Sequence, residues 1–302
     1  MSRRILVTGA GGMLGTEVLS VLGTGPGKEV TGWSRMGADY GHRPVDATSA
    51  QQVVSAFADQ DFDVCVHCVA NADVQQCQDD PQAARQVNAE TTRIVAESCA
   101  RHGVKLVYIS TEYVFDGTAE NGYAESDTPA PLQIYGRTKR EGELHASRVP
   151  GHLIVRLPVL YGARVAGRGP TWTEKLLHAL ERHEPVELDD RFERQPTWTH
   201  DVAVTLKRAV EADLDGVLHV AAQEGLTKYA WGRKIAEATG MPVSLVRPAN
   251  TSSEAPVIPK PARPWLRTER LEGLGVRPPG GVSHRLSPFL RSIGVLSPAG
   301  AD

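Results

Sequence analysis

The most restrictive stretch of this chain stands at its start. Ile5-Leu6-Val7-Thr8 is a short apolar run that leads directly into Gly9-Ala10-Gly11-Gly12-Met13-Leu14-Gly15. An apolar run this short reads as a buried strand, and the glycines at a spacing of three read as a tight turn into a helix. Gly9 permits the turn, Gly12 lets a bulky anion approach the backbone, and Gly15 lets helix pack closely on strand. The unpaired N–H groups at the helix start favour a negative charge, so the anion expected there is a dinucleotide pyrophosphate, with Met13 and Leu14 beside it.

The rest of the first half repeats the alternation. Strand-like runs lie at Glu29–Trp33, Val64–Cys68, Lys105–Ile109 and His152–Leu157. Helix patterns lie at Leu14–Leu22, Ser49–Ala58, Pro81–Arg101 and Tyr135–Ala146. Near-continuous apolar strands suit a parallel sheet covered on both faces, and alternating β and α units predict a doubly wound α/β sheet. The second half predicts helices at Thr173–Arg182, Asp201–Ala212 and Lys228–Ala238. Short strands are expected near Val217–Val220 and Val243–Val246, between the Pro- and Gly-rich segments Pro256–Pro264 and Pro278–Gly281. This divides the chain into a dinucleotide-binding domain over residues 1–162 and a smaller α/β substrate lobe over 163–302. The boundary is soft, because the strand at His152–Leu157 can hold both lobes.

Composition bounds the partners. With 302 residues, 41% of them hydrophobic, the chain can build a sizeable core. A formal net charge of -3 gives no electrostatic case for nucleic acid or an anionic membrane surface. The apolar run after Met1-Ser2-Arg3-Arg4 is too short for a signal peptide, and no stretch approaches a membrane span. A cytoplasmic protein is the default expectation. The pair Cys65-Val-His-Cys68 has the spacing of a zinc or redox site. It lies inside an apolar run, however, and no second close pair follows, so both cysteines, with His67, read as a buried strand and no metal is expected.

The end of the second strand bears on the cofactor. An acidic residue there would bond the ribose 2′-hydroxyl of NAD; this chain has Ser34-Arg35, and a guanidinium suits the 2′-phosphate of NADP. NADP(H) is therefore favoured over NAD(H). The alternative leaves Arg35 as a solvated loop charge and gives the ribose to Asp39 or Asp46. Asp46 fits the adenine, or the cap of the helix that follows, better.

Tyr135 and Lys139 stand four residues apart on a predicted helix, so both project from one face. A free tyrosine has a pKa of about 10, and a nearby ammonium lowers it by stabilising the phenolate. Tyr135 is the candidate general acid for reduction of a carbonyl, and Lys139 would tune it and hold the nicotinamide ribose. Thr111, at the end of the strand Lys105–Ile109, can hydrogen-bond the substrate oxygen.

With these residues in view, the chain resembles the extended short-chain dehydrogenase/reductases, and within them the dTDP-4-dehydrorhamnose reductase group. The matching segments are Val7–Gly15, Val87–Glu90, Ile109–Gly117, Pro131–Lys139, Val155–Gly162, Gln195–Ala203 and Arg263–Gly275, so nearly the whole chain is covered. The resemblance implies a Rossmann-type fold and the trio Thr111, Tyr135 and Lys139. It places Ala70 and Asn88 at the cofactor cleft and passes Leu157 to Leu160 along the nicotinamide amide. Tyr113, Phe115, Arg156 and Trp198 are implied near the substrate. The group usually has an aspartate at the position of Glu112, also implied near the substrate, and a more aromatic start to Asn71-Ala72-Asp73.

The activity so implied is NADPH-dependent reduction of the 4-keto group of a nucleotide-linked 6-deoxy sugar, in a possible homodimer. The chain is also similar to the regulatory beta subunit of methionine adenosyltransferase, which implies NADP binding without catalysis. The Pro-rich end shows no obvious helix for such docking. A ketoreductase of a non-sugar metabolite is the third reading. A dehydratase is disfavoured, since only one acidic residue follows Thr111.

Overall fold

The structure, a computed structural model, describes residues 3–24, 27–35, 37, 41–249 and 258–297. Seven strands form one parallel sheet: β1 (Arg3–Thr8), β2 (Lys28–Ser34), β3 (Arg43–Pro44), β4 (Val64–His67), β5 (Lys105–Thr111), β6 (Leu153–Leu157) and β10 (Gly216–His219). Their order is β10-β6-β5-β4-β1-β2-β3. The chain winds one way from β1 to β3 and the other way from β4 outward, which is the doubly wound Rossmann-type arrangement. Its switch point lies between β1 and β4, where Thr8 pairs with His67.

Alternation along each strand explains the two covering layers. Ile5 and Val7 point to one face with Val64, Val66 and Val107, and α1 (Met13–Leu22) and α8 (Thr199–Glu211) close over them. Leu6, Cys65, Leu106 and Tyr108 point to the other face, under α2 (Ala50–Asp59), α5 (Thr91–His102) and α6 (Ile134–Ala146). Cys65 is fully buried in β4, beside Leu6. Each fully buried Leu, Ile or Phe contributes roughly 1.5–3 kcal/mol.

The predicted helix over Pro81–Arg101 is broken. The structure has α3 (Val74–Asp79), which the sequence did not signal, then α4 (Pro81–Arg85), a π-type turn at Gln86–Glu90, and α5. Asp80 caps α4 by accepting from the Ala83 N–H at 2.9 Å. The extra residue of the π turn falls where Asn88 is fully buried and bonded across to the loop after β4, so a tertiary contact overrides the periodicity.

Past residue 162 the chain builds a second core from α7 (Trp172–Glu181), α9 (Lys228–Ala238) and α11 (Val282–Ser292). Two short sheets join it, β8 (Val186–Leu188) with β11 (Val246–Pro248), and β7 (Leu160–Tyr161) with β9 (Thr197–Trp198). A capping box starts α7, with Thr171 and Glu174 bonded reciprocally. The strand expected at Val243–Val246 is a 3₁₀ turn over Val243–Leu245 that leads into β11. A helix the sequence reading did not expect, α11, turns Val282, Leu286, Phe289 and Leu290 into this core, after the short α10 (Glu269–Gly273). The chain recrosses between the lobes: β10 pairs with β6 at the edge of the main sheet, and α8 lies along α1. Among the described residues no helix is long and apolar enough to cross a membrane.

Candidate active site

The large cleft opens outside the carboxyl ends of β1 and β4, at the switch point, where open α/β sheets bind their ligands. Its volume is about 590 Å³. One wall is the glycine turn and the start of α1, with Gly12, Met13, Leu14 and Gly15. Gly9 has φ +69°, and a Cβ on Gly15 would stand 2.2 Å from the Gly9 carbonyl oxygen, so both positions require glycine. No side chain caps α1, which leaves its first N–H groups free for an anion.

The opposite wall comes from the end of β5 and the first turns of α6. Thr111, Glu112 and Tyr113 line the cavity together with Tyr135 and Lys139. The approach is set by Gly136: a Cβ there would lie 2.1 Å from the Tyr113 carbonyl oxygen, so only glycine lets α6 come this close. Gln133 caps the helix by accepting from the Gly136 N–H at 2.6 Å, and the rings of Tyr113 and Tyr135 meet edge-on at 5.7 Å. Thr111, 24 residues before Tyr135 in sequence, thus shares one site with Tyr135 and Lys139.

Their protonation differs from the sequence expectation. Burial pushes the Tyr135 phenol above its usual range, and a hydrogen bond with Thr111 opposes that. Lys139 is anchored on β5. Its ammonium donates to the Ile109 carbonyl oxygen at 2.7 Å and lies 4.3 Å from the Tyr108 ring centroid. Burial lowers it to about 7, with the Glu143 carboxylate working against that fall.

Of the residues expected at the cofactor, Ala70, Leu157 and Leu160 also line the cleft. Asn88 stands behind it. Its side chain accepts from the Asn71 N–H at 2.8 Å and donates to the Thr138 hydroxyl at 3.1 Å, holding the loop that carries Ala70 and Ala72. Ser34 lies beside the glycine turn, 3.5 Å from where a Gly11 Cβ would stand, and its hydroxyl accepts from the Gly37 N–H at 3.1 Å. Arg35 is exposed at the end of β2, outside the enclosed cleft. Asp46 neither reaches the cleft nor caps α2. It folds its own turn by accepting from the Thr48 N–H at 2.9 Å, and the cap is Ser49. Asp39 lies outside the described residues.

Two expected substrate contacts belong to the core instead. Phe115 is fully buried, stacked 4.1 Å from Tyr123. Arg156, 2% exposed, spans the Glu143 carboxylate with bonds of 2.9 Å and 3.0 Å. The cleft runs along the strand ends, and Arg156 lies inside β6, under α6. Trp198 packs in the second lobe, its ring 6.3 Å from that of Phe289, and is not part of the cleft wall.

The sequence reading missed the far end of the cleft, where Asp189, Phe192, Arg194, Lys228 and Lys260 converge. No spacing links these residues, although the excess of cations among them is a signal that chemistry could have used. Lys228 is held below the usual amine range by burial and by the charge of Lys260. The Asp189 carboxylate is occupied, accepting from the N–H groups of Arg191 and Phe192 at 2.9 Å and 3.1 Å.

Comparison with known proteins bears on this arrangement. The sequence profile of the RmlD substrate binding domain matches residues 3–292. The chain is 32% identical over 282 residues to the probable low-salt glycan biosynthesis reductase Agl14 of Haloferax volcanii, covering 88% of this chain and 90% of that one. It is also 32% identical over 306 residues to methionine adenosyltransferase 2 subunit beta of Mus musculus, covering 96% and 89%. Among solved structures it is similar to dTDP-4-dehydrorhamnose reductase from Bacillus anthracis in complex with NADP, with TM-score 0.87 and 26% identity over 97% of this chain and 100% of that one. The dTDP-4-dehydrorhamnose reductase of Clostridium acetobutylicum gives TM-score 0.86 and 26% identity, covering 96% and 99%.

Proposed function

This chain belongs to the RmlD substrate binding domain family, and from that premise we propose that it is an NADPH-dependent reductase of the 4-keto group of a nucleotide-linked 6-deoxy sugar. The observation that carries the proposal is the convergence of Thr111, Tyr135 and Lys139 on the cleft that the glycine turn also lines. The uncapped N-terminus of α1 suits a pyrophosphate, and the exposed Arg35 beside Ser34 suits a 2′-phosphate. NADPH, when bound, supplies the hydride.

The chain supplies orientation and the proton. Thr111 holds the carbonyl oxygen by a hydrogen bond, and Tyr135 gives that oxygen its phenolic proton as charge builds there. A phenol raised by burial stays protonated at neutral pH, as a general acid in the reducing direction must. Lys139 in its ammonium form offsets the phenolate left behind. At the far end, Arg194, Lys228 and Lys260 offer three cations to a diphosphate, which fits a nucleotide sugar better than an uncharged ketone.

The match to methionine adenosyltransferase 2 subunit beta over nearly the whole chain favours a second reading, an NADP-binding regulatory subunit. Against it stands only that the apolar face of α11 is already used inside the second lobe. The test is NADPH oxidation with a dTDP-4-dehydro-6-deoxy sugar. We expect Tyr135→Phe to lower kcat at least about 100-fold with NADPH affinity unchanged within a few-fold. Native protein that binds NADPH and gives no turnover would overturn the reductase and bring the regulatory reading forward.

A further inference from the structure

Glu112, directly after Thr111, is 1% exposed in the wall of the cleft. Neither of its carboxyl oxygens has a well-formed hydrogen bond among the described residues. A buried carboxylate without hydrogen bonds is costly, and its close counter-ion is Arg194, with Nε 3.3 Å away. Arg194 is shared. Its guanidinium donates to the Glu193 carbonyl at 2.7 Å and, at 3.4 Å, to the Tyr113 hydroxyl, and it fronts the same cavity as Lys228 and Lys260. One guanidinium therefore stands between a buried acid and the end of the cleft suited to an anion.

We propose that diphosphate binding at Arg194, Lys228 and Lys260 is coupled to the uptake of a proton by Glu112. The identity of the anion rests on the nucleotide-sugar reading above; the coupling rests on the shared guanidinium. In the free protein burial raises the Glu112 carboxyl, while Arg194 and, more weakly, the Val159 backbone pull it down, and the balance is about 8. A diphosphate engages the charge of Arg194 and adds negative charge of its own, and both effects disfavour the carboxylate. The protonated acid then has an O–H to donate to a phosphate oxygen or a sugar hydroxyl, which the carboxylate lacks.

Other titratable groups face this region from every wall. They are Tyr113 beside Glu112, Tyr135 and Lys139 on α6, Cys68 after β4, Asp189 before Arg194, Lys228 on α9, and Lys260. Burial lowers both Lys139 and Lys228, and an arriving anion opposes that shift, so the test must subtract any uptake at these amines. Asp189 is held as a carboxylate by its two backbone N–H partners.

The probe is dTDP, titrated calorimetrically at pH 8 with NADP at saturation, in two buffers of different ionisation enthalpy, so that protons are counted. Its terminal phosphate is already ionised at that pH. We expect the native protein to take up about half a proton more than Glu112→Gln, because a group near its midpoint is half protonated when free and nearly fully so when bound. Equal uptake in both proteins overturns the coupling. The Lys228→Met/Lys260→Met variant should bind dTDP at least about tenfold more weakly; unchanged affinity puts the anion elsewhere and overturns the site. Should Glu112→Gln fail to fold, the infrared difference spectrum of native protein with dTDP must show a gain in protonated-carboxyl absorption at the expense of carboxylate, and its absence overturns the proposal. Proton uptake at Glu112 in a protein that never oxidises NADPH would support the coupling while the reductase reading fell.

Discussion

Replacing Arg156 with methionine separates a structural guanidinium from a substrate contact. Glu143, fully buried, takes two bonds from Arg156, at 2.9 Å and 3.0 Å, one from the Ser110 hydroxyl at 2.6 Å and one from Arg140 at 2.7 Å. Removing one partner of a buried ion pair costs about 3–5 kcal/mol. Ser110 and Arg140 remain, so the low end applies, about 3 kcal/mol. At an unfolding entropy of roughly 2.1 cal/mol/K per residue over 302 residues, that lowers Tm by about 5 °C.

The pH dependence carries a sign. Burial alone would raise the Glu143 carboxyl, but bonds from Arg156, Ser110 and Arg140 overcome it and hold the group below its ordinary 4.5. A depressed carboxyl stabilises the fold above its unfolded pKa, and that contribution is lost as pH falls through the folded value. In Arg156→Met the burial cost is less opposed, so the Tm gap from native protein should widen as pH rises from 4 to 7. Circular dichroism melts across that range measure it. The companion Glu143→Leu/Arg156→Met variant, with neither charge buried, should recover most of the loss. An unchanged Tm together with a raised KM would refute this reasoning and return Arg156 to the substrate.

Two further substitutions test the cofactor half. Arg35→Ala should weaken NADPH binding about tenfold, the worth of one charge-assisted bond, and leave NADH binding unchanged; equal loss for both in fluorescence titrations would count against a 2′-phosphate contact. Gly15→Ala puts a Cβ 2.2 Å from the Gly9 oxygen, so α1 must shift by about 1 Å, with a stability cost of about 1–3 kcal/mol and a fall in kcat/KM of the order of 100-fold. Native-like melting and turnover would show the turn to be looser than drawn.

Much of the frame was legible because it is local. Apolar runs of four to six residues, a glycine trio after the first and helical periodicity between them carry the parallel sheet, its two covering layers and the position of the glycine turn. Tyr135 and Lys139 share a helix face by spacing alone. The break at Gln86–Glu90 was invisible, since it answers to Asn88 bonding a loop 17 residues upstream. The helix at Val282–Ser292 was hidden by the Pro- and Gly-rich approach and by Pro288 within it.

What tertiary structure alone decided is which polar groups face the cleft and which are sealed away from it. The resemblance implies Arg156 near the substrate, yet the strand ends on which the cleft opens leave it paired with Glu143 beneath α6. Arg194, Lys228 and Lys260 carry no motif, and only the return of the chain to the first sheet through β10 brings their lobe over Thr111. Periodicity fixes the face a side chain takes on its own element. Which faces meet, and so which charges share one cavity, depends on how layers stack, and that is a property of the whole chain.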